Sequence, residues 1–138
     1  YTTKPWINRT TESPLDVAMK KWDFIGLRFA LSGLFILLQQ RNFRIEALVA
    51  LLAIVLGFYL QINAQDWLWI SLAITLVLVG EAINTAIELT LDRIGRDFHP
   101  TTKRAKDIAA GAVVLCCLHA ALIGFVVFGP KLWALLFA

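Results

Sequence analysis

The chain has 138 residues, of which 59% are hydrophobic, 17% charged and 12% aromatic. An average soluble domain is about 45–50% apolar and about 25% charged. Three segments, 47–60, 67–80 and 108–130, carry no charged residue. One small core could not bury three such runs, which excludes an ordinary soluble enzyme, a disordered tail and a secreted disulfide scaffold. The composition predicts an all-α integral membrane protein.

The N-terminal part of the chain divides into an arm and a first helix. Residues 1–14 are polar and contain two prolines, which predicts an irregular arm, and the absence of an initiator Met suggests further residues upstream. Residues 15–138 are expected to form a single membrane domain. Within it, 15–38 is amphipathic in its first half, and its apolar part is shorter than the roughly 20 residues that a span requires. It is predicted to be a helix lying in the membrane interface.

Three transmembrane helices are predicted at about 43–62, 67–91 and 108–128, because only helices satisfy the backbone of such short apolar segments in lipid. Basic residues are concentrated before the first span and between the second and third. Basic residues next to membrane spans tend to remain on the cytoplasmic side of the membrane. This tendency places the N-terminus and the second connection in the cytoplasm. This orientation accounts for the basic excess, so no nucleic-acid partner is expected.

The second span ends in a polar stripe. Glu81, Asn84, Glu88 and Asp92 share one face of a helix at about 100° per residue. A carboxylate near hydrocarbon costs about 2.5–3.5 kcal/mol on insertion scales, so a functional role is the default hypothesis. The alternative is that these side chains are hydrated or hydrogen-bonded at the cytoplasmic rim.

Lys106 and Asp107 stand where the third span begins, near the stripe if the two helices are antiparallel. Carboxylates suit Mg²⁺, which shares its oxygen ligands with substrate phosphates, and a lysine holds phosphate as a point charge. The pattern is typical of phosphoryl transfer at the cytoplasmic membrane surface. Anchoring to the bilayer would also account for the lysine. The sequence has no Walker A motif or protein-kinase signature.

Three segments resemble the prokaryotic diacylglycerol kinase and undecaprenol kinase family: 81–88 (EAINTAIE), 92–95 (DRIG) and 105–111 (AKDIAAG). The resemblance extends over roughly 26–132. It implies a homotrimer of three-span subunits, each with an interfacial helix, whose active sites are shared between neighbours. It also implies a membrane lipid substrate, ATP and Mg²⁺ at the cytoplasmic face of a bacterial-type cell membrane.

The resemblance implies a role for each residue of the polar cluster. Glu81 would be the general base on the lipid hydroxyl and Glu88 would bind the metal carried with ATP. Support of the substrate site would come from Asn84 and Asp92, and binding of nucleotide and phosphate from Lys106 and Asp107. Gln40 stands where the family usually has a second metal-binding Glu. An amide oxygen can ligate a hard cation but brings no charge, and Glu46 is a candidate to assist.

Several alternatives remain open. Segments 41–45 and 109–113 look more like undecaprenol kinases, whereas 92–95 looks more like diacylglycerol kinases, so a polyprenol is slightly favoured. Gln40 also permits a non-catalytic membrane subunit that binds ATP–Mg²⁺ weakly. A small proton-coupled transporter using Glu81 or Glu88 is a further alternative.

Overall fold

The computed structural model describes the backbone of residues 14–94 and 99–137, and the side chains of 26–94 and 99–137. It contains four helices: α1 (Pro14–Gln39), α2 (Arg41–Tyr59), α3 (Ala64–Ile94) and α4 (Pro100–Phe137). These ranges include no β-strand. The polar arm predicted for 1–14 lies outside the described backbone except for Pro14. The charged side chains that suggested amphipathicity before residue 26 also lie outside the described part.

The prediction of an all-helical membrane protein is confirmed. Within the described residues, α2, α3 and α4 are each long and apolar enough to cross a bilayer. Helix α2 ends at Tyr59, three residues before the predicted limit of the first span. Helices α3 and α4 continue beyond both predicted limits, because a helix need not end where the hydrocarbon of the bilayer ends.

Helix α1 differs from the other three in its apolar length. Its apolar part, Gly26–Gln39, is shorter than a membrane span. Large side chains along it, including Leu27, Phe29 and Phe35, are well exposed. An exposed apolar surface of this length suits a helix lying in the membrane interface. Contacts among the described residues place those up to Ile36 in one compact unit and those from Leu37 onward in a second.

In the second unit α3 is the central helix, with contacts to both α2 and α4, whereas α2 and α4 lie largely apart. A tight turn joins α2 to α3, with Gln61 at a positive φ of 49°. Asn63 then caps α3: its Oδ1 accepts from the Asp66 backbone N–H at 3.0 Å, and its Nδ2 donates to the Asp66 carboxylate at 2.8 Å. The first bond satisfies a backbone donor that would otherwise be unpaired at the helix start, and the second holds the two side chains together.

The buried core of this unit lies next to the α2–α3 turn. Ile62, Ile70, Val127 and Phe128 form one cluster of buried side chains. Close approach of α2 to the start of α3 depends on Gly57, because a Cβ at this position would lie only 2.8 Å from the Trp67 ring. The end of the second unit that contains the α2–α3 turn is therefore well packed. The opposite end, where α3 finishes and α4 begins, carries the polar residues.

Most of the apolar surface of the three long helices remains exposed. In the most hydropathic window of each helix, only 11% (α2), 28% (α3) and 22% (α4) of the residues are buried. Soluble monomers rarely expose contiguous apolar surface of this extent. The surface must therefore be covered by lipid or by further subunits.

Candidate active site

The polar stripe of α3 is buried where it enters the apolar part of the helix. Glu81 is only 4% exposed and Asn84 5%. The Asn84 amide donates from Nδ2 to Oε1 of Glu88 at 3.4 Å, one turn further along the helix. Asp92, near the end of α3, is exposed. The stripe therefore runs from a buried carboxylate to a solvent-facing one.

Helix α2 contributes two further polar side chains to this cluster. The side-chain amides of Asn42 and Asn84 both lie near the Glu81 carboxylate. Glu46, one turn beyond Asn42 on α2, is close enough to Glu81 for their charges to interact. The antiparallel packing of α2 against α3 thus surrounds Glu81 with two amides and a second carboxylate.

Two buried oxygen atoms of this cluster have no hydrogen-bond partner within the described part of the chain. They are Oε2 of Glu46 and Oδ1 of Asn84. Both are acceptors, and buried acceptors in native proteins are normally satisfied. Each can accept from a ligand hydroxyl or ligate a cation, so the cluster has free capacity of the kind that a binding site needs.

A second group of charges lies toward the ends of α3 and α4. Lys106 forms an ion pair with Asp92 across the two helices. Lys103 pairs with Asp107 one turn along α4, at 2.7 Å. Both lysines are thus paired with carboxylates. Lys106 lies near the stripe, as predicted. It contacts the exposed end of the stripe, through Asp92.

The predicted residues do not all converge on one point within the chain. Asp92 follows Glu81 by about 16 Å along the axis of α3, at 1.5 Å per residue, and Glu88 lies between them. Gln40 precedes α2 as its N-cap residue, and its side chain makes no capping hydrogen bond. Among the described residues, no three His, Cys, Asp or Glu side chains are placed to hold a metal together.

Comparison with known proteins identifies the family. Residues 28–128 match the model of the prokaryotic diacylglycerol kinase family. The chain belongs to this family. Its relatives include an undecaprenol kinase of Bacillus subtilis, 40% identical over 67% of this chain and 76% of the relative. A diacylglycerol kinase of Escherichia coli is 31% identical over 82% of this chain and 88% of the relative. A diacylglycerol kinase of Synechocystis is 33% identical over 81% of this chain and 65% of the relative.

For this member of the prokaryotic diacylglycerol kinase family, the structure also shows what the sequence reading missed. Asn42 was not predicted to be part of the cluster, and Glu46 was considered only as an aid to Gln40. A signal for both was present, since they are four residues apart and so share a face of α2. Glu46 is moreover a carboxylate within an otherwise apolar span, a position that usually marks function.

Proposed function

We propose that this protein is an ATP- and Mg²⁺-dependent kinase of a membrane lipid. A lipid kinase is what the family and the names of its relatives indicate. The observation that carries the proposal is the burial of Glu81, at 4% exposure, among two amides and a second carboxylate inside a span. The preferred substrate is undecaprenol, with diacylglycerol as the alternative.

Glu81 is the proposed general base. The lipid hydroxyl donates its proton to the Glu81 carboxylate while its oxygen attacks the γ-phosphorus, and the bond to the bridging oxygen of ATP breaks. The nearby amides of Asn42 and Asn84 would help to orient the carboxylate. A buried base excludes bulk water as a competing acceptor of the phosphoryl group.

The side chains near Glu88 fit a hard divalent cation. Glu88 supplies a carboxylate, and the unpartnered Oδ1 of Asn84 lies one turn away. Mg²⁺ is commonly held by one or two carboxylates together with substrate phosphates, so the lack of a three-ligand cluster among the described residues is compatible with it. Bound there, the cation would neutralise charge on the transferring phosphoryl group. Gln40 would add at most an uncharged ligand.

The exposed end of the stripe is the proposed nucleotide site. Phosphate would displace Asp92 from Lys106, because a lysine that faces solvent can exchange one anion for another. Asp107 would orient the nucleotide from the same turn of α4, and Asp92 would support the site. ATP would then lie along the stripe from Lys106 towards Glu81, and the lipid would approach from the bilayer.

The proposal includes an orientation and an assembly. The distribution of basic residues favours an active site at the cytoplasmic face. The large exposed apolar surface supports association of subunits, and the resemblance implies a homotrimer. Neighbouring subunits would then complete the site.

The decisive experiment compares Glu81→Gln with Asp66→Asn. Each makes the same carboxylate-to-amide change on α3, and Asp66 lies at the opposite end of the helix. Purified proteins would be assayed with ATP and Mg²⁺ in mixed micelles containing undecaprenol or diacylglycerol. Loss of a general base predicts a fall in kcat of about 10²–10⁴-fold for Glu81→Gln, with Asp66→Asn close to wild type.

Two outcomes would contradict the proposal. Turnover by Glu81→Gln near the wild-type rate would exclude Glu81 as the base. Absence of turnover by the folded wild-type protein on either lipid would instead favour the non-catalytic membrane subunit, which the Gln at position 40 makes a specific alternative. In that case Gln40→Glu should restore Mg²⁺-dependent binding of ATP.

A further inference from the structure

A pocket lies in the second unit at the end opposite the proposed active site. The C-terminal end of α2 and the last turns of α4 form it, and its volume is about 570 Å³. Ligand-binding pockets commonly occupy about 300–1,000 Å³. None of the residues that line it is acidic, so Lys131 makes the pocket positive. The lining residues are Tyr59, Leu60, Gln61, Lys131, Ala134 and Leu135.

The pocket lies at the depth of the lipid headgroups. Asp107 and Lys131 stand on either side of the apolar part of α4, about 36 Å apart at 1.5 Å per residue. The hydrocarbon core of a bilayer is about 30 Å thick, so Lys131 lies at the membrane interface opposite the one at Asp107. Tyr59, Trp69 and Trp133 are exposed at the same end, and such side chains are enriched at the level of the headgroups. Lipid phosphates are therefore the anions next to this pocket.

Lys131 has no anionic partner within the described part of the chain. Both ion pairs found among those residues lie at the other end of the unit, where α3 finishes and α4 begins. Asp66, the acidic residue nearest the α2–α3 turn, has its carboxylate bound by the Asn63 amide. Lys131 is half-buried, as when a lysine stem lies along apolar surface and its ammonium group faces water. That ammonium group can accept an anion from outside the chain.

The turn at the end of α2 satisfies backbone carbonyls without Lys131 and places Gln61 at the pocket. The N–H of Ile62 donates to the Gly57 carbonyl and the N–H of Gln61 to the Phe58 carbonyl, each at 3.2 Å. Helices that end in this way usually have glycine at the position of positive φ, but here that residue is Gln61, at 49°. This conformation is unfavourable for a residue with a Cβ. The cost is explained if the Gln61 side chain has a use in the pocket.

Three hydrogen-bond donors line the pocket: the ammonium group of Lys131, the side-chain amide of Gln61 and the hydroxyl of Tyr59. A phosphodiester carries one negative charge and several acceptor oxygens, which match one cation and two neutral donors. Leu60 and Leu135 add apolar surface, which suits the glycerol end of a lipid better than a free phosphate ion. Without an acidic lining residue, the pocket offers no partner for the cationic part of a zwitterionic headgroup.

We propose that this pocket binds the phosphate of an anionic phospholipid of the phosphatidylglycerol class, at the membrane face opposite the proposed active site. Lys131 supplies the charge, and Gln61 and Tyr59 donate to the remaining oxygens. The lipid is a bound ligand and not a substrate, because about 36 Å along α4 separates Lys131 from Asp107. The inference does not rest on the proposed function.

Binding can be measured with a thiol placed in the pocket. Cys116→Ser and Cys117→Ser remove the native thiols, and Ala134→Cys introduces one into the pocket lining. Leu136→Cys is the matched control, since Leu136 is exposed nearby and does not line the pocket. Reaction with a maleimide would be followed in uncharged micelles containing phosphatidylglycerol or phosphatidylcholine. Phosphatidylglycerol should slow labelling of the Ala134→Cys protein and leave that of Leu136→Cys unchanged, and phosphatidylcholine should protect less.

Variants of two lining residues, made in the Ala134→Cys protein, separate recognition from folding. Lys131→Met should raise the phosphatidylglycerol concentration for half-maximal protection by about 10–100-fold, the loss of one bond to a charged group, whereas Lys131→Arg should retain protection. Gln61→Gly removes the amide but suits the positive φ. It should therefore resist unfolding by sodium dodecyl sulfate better than its parent, while protection weakens by about 2–10-fold. A purely structural role of Gln61 would leave protection unchanged.

Each remaining outcome contradicts a specific part of the inference. Equal protection with and without Lys131→Met, or no protection by any lipid, would show that Lys131 only anchors α4 and would overturn the site. Equal protection by phosphatidylcholine would overturn the anionic class. Protection by inorganic phosphate in place of lipid would assign the pocket to a free ion and overturn the lipid. Lys131→Met should leave kinase turnover unchanged, so failure of this inference and failure of the proposed function are distinguishable.

Discussion

Gly57 offers the most direct test of the packing that sets the spacing of α2 and α3. An alanine Cβ at this position would lie 2.8 Å from Cη2 and 3.0 Å from Cζ2 of Trp67, and 3.1 Å from Cδ1 of Ile62. Carbon atoms pack best at about 3.5–4.0 Å, so the methyl group would need about 0.5–1 Å of movement. Trp67 cannot give way freely, because its ring packs against Phe58 at a centroid distance of 4.8 Å.

Gly57→Ala is expected to destabilise the protein. Overpacking of a core costs about 1–3 kcal/mol, whereas replacing Gly by Ala in a helix gains about 0.5–1 kcal/mol. The net loss is therefore about 0–2.5 kcal/mol. Unfolding of the purified protein in mixed micelles, followed as the fraction of sodium dodecyl sulfate rises, would measure the change in the free energy of unfolding.

Gly111→Ala is the matched control, because no atom lies within 4 Å of the added Cβ. It should stabilise the protein by the helix-propensity gain of about 0.5–1 kcal/mol. If Gly57→Ala is as stable as Gly111→Ala, then Trp67 does not press on α2 and the packing described here is wrong.

Three further predictions concern the cap of α3 and the proposed nucleotide and metal sites. Asn63→Ala removes the cap and should cost about 0.5–2 kcal/mol in the same unfolding assay; Gln65→Ala, just inside the helix, is the control. Lys106→Met should raise the KM for ATP by about 10–100-fold, the loss of one bond to a charged group, with little change in the KM for lipid. Glu88→Gln should raise the Mg²⁺ concentration for half-maximal activity at least about tenfold, since it removes a charged ligand. An unchanged Mg²⁺ requirement would place the cation elsewhere.

The elements that follow from local sequence were predictable. Apolar segments as long as 47–60 and 108–130 can be satisfied in lipid only as helices, and α2 to α4 were found where hydropathy placed them. The stripe from Glu81 to Asp92 was equally predictable, because residues on one helix keep a constant angular spacing. The motif in 81–88 indicated the family, which the comparison confirms.

The contacts between helices are set by how the helices pack against one another, and local sequence does not specify that packing. No pattern along the chain states that Asn42 and Glu46 face Glu81, or that Lys106 pairs with Asp92, because each contact depends on the rotation and depth of one helix against another. Local sequence thus determined the helices and the stripe on α3, whereas tertiary packing decided which side chains surround Glu81.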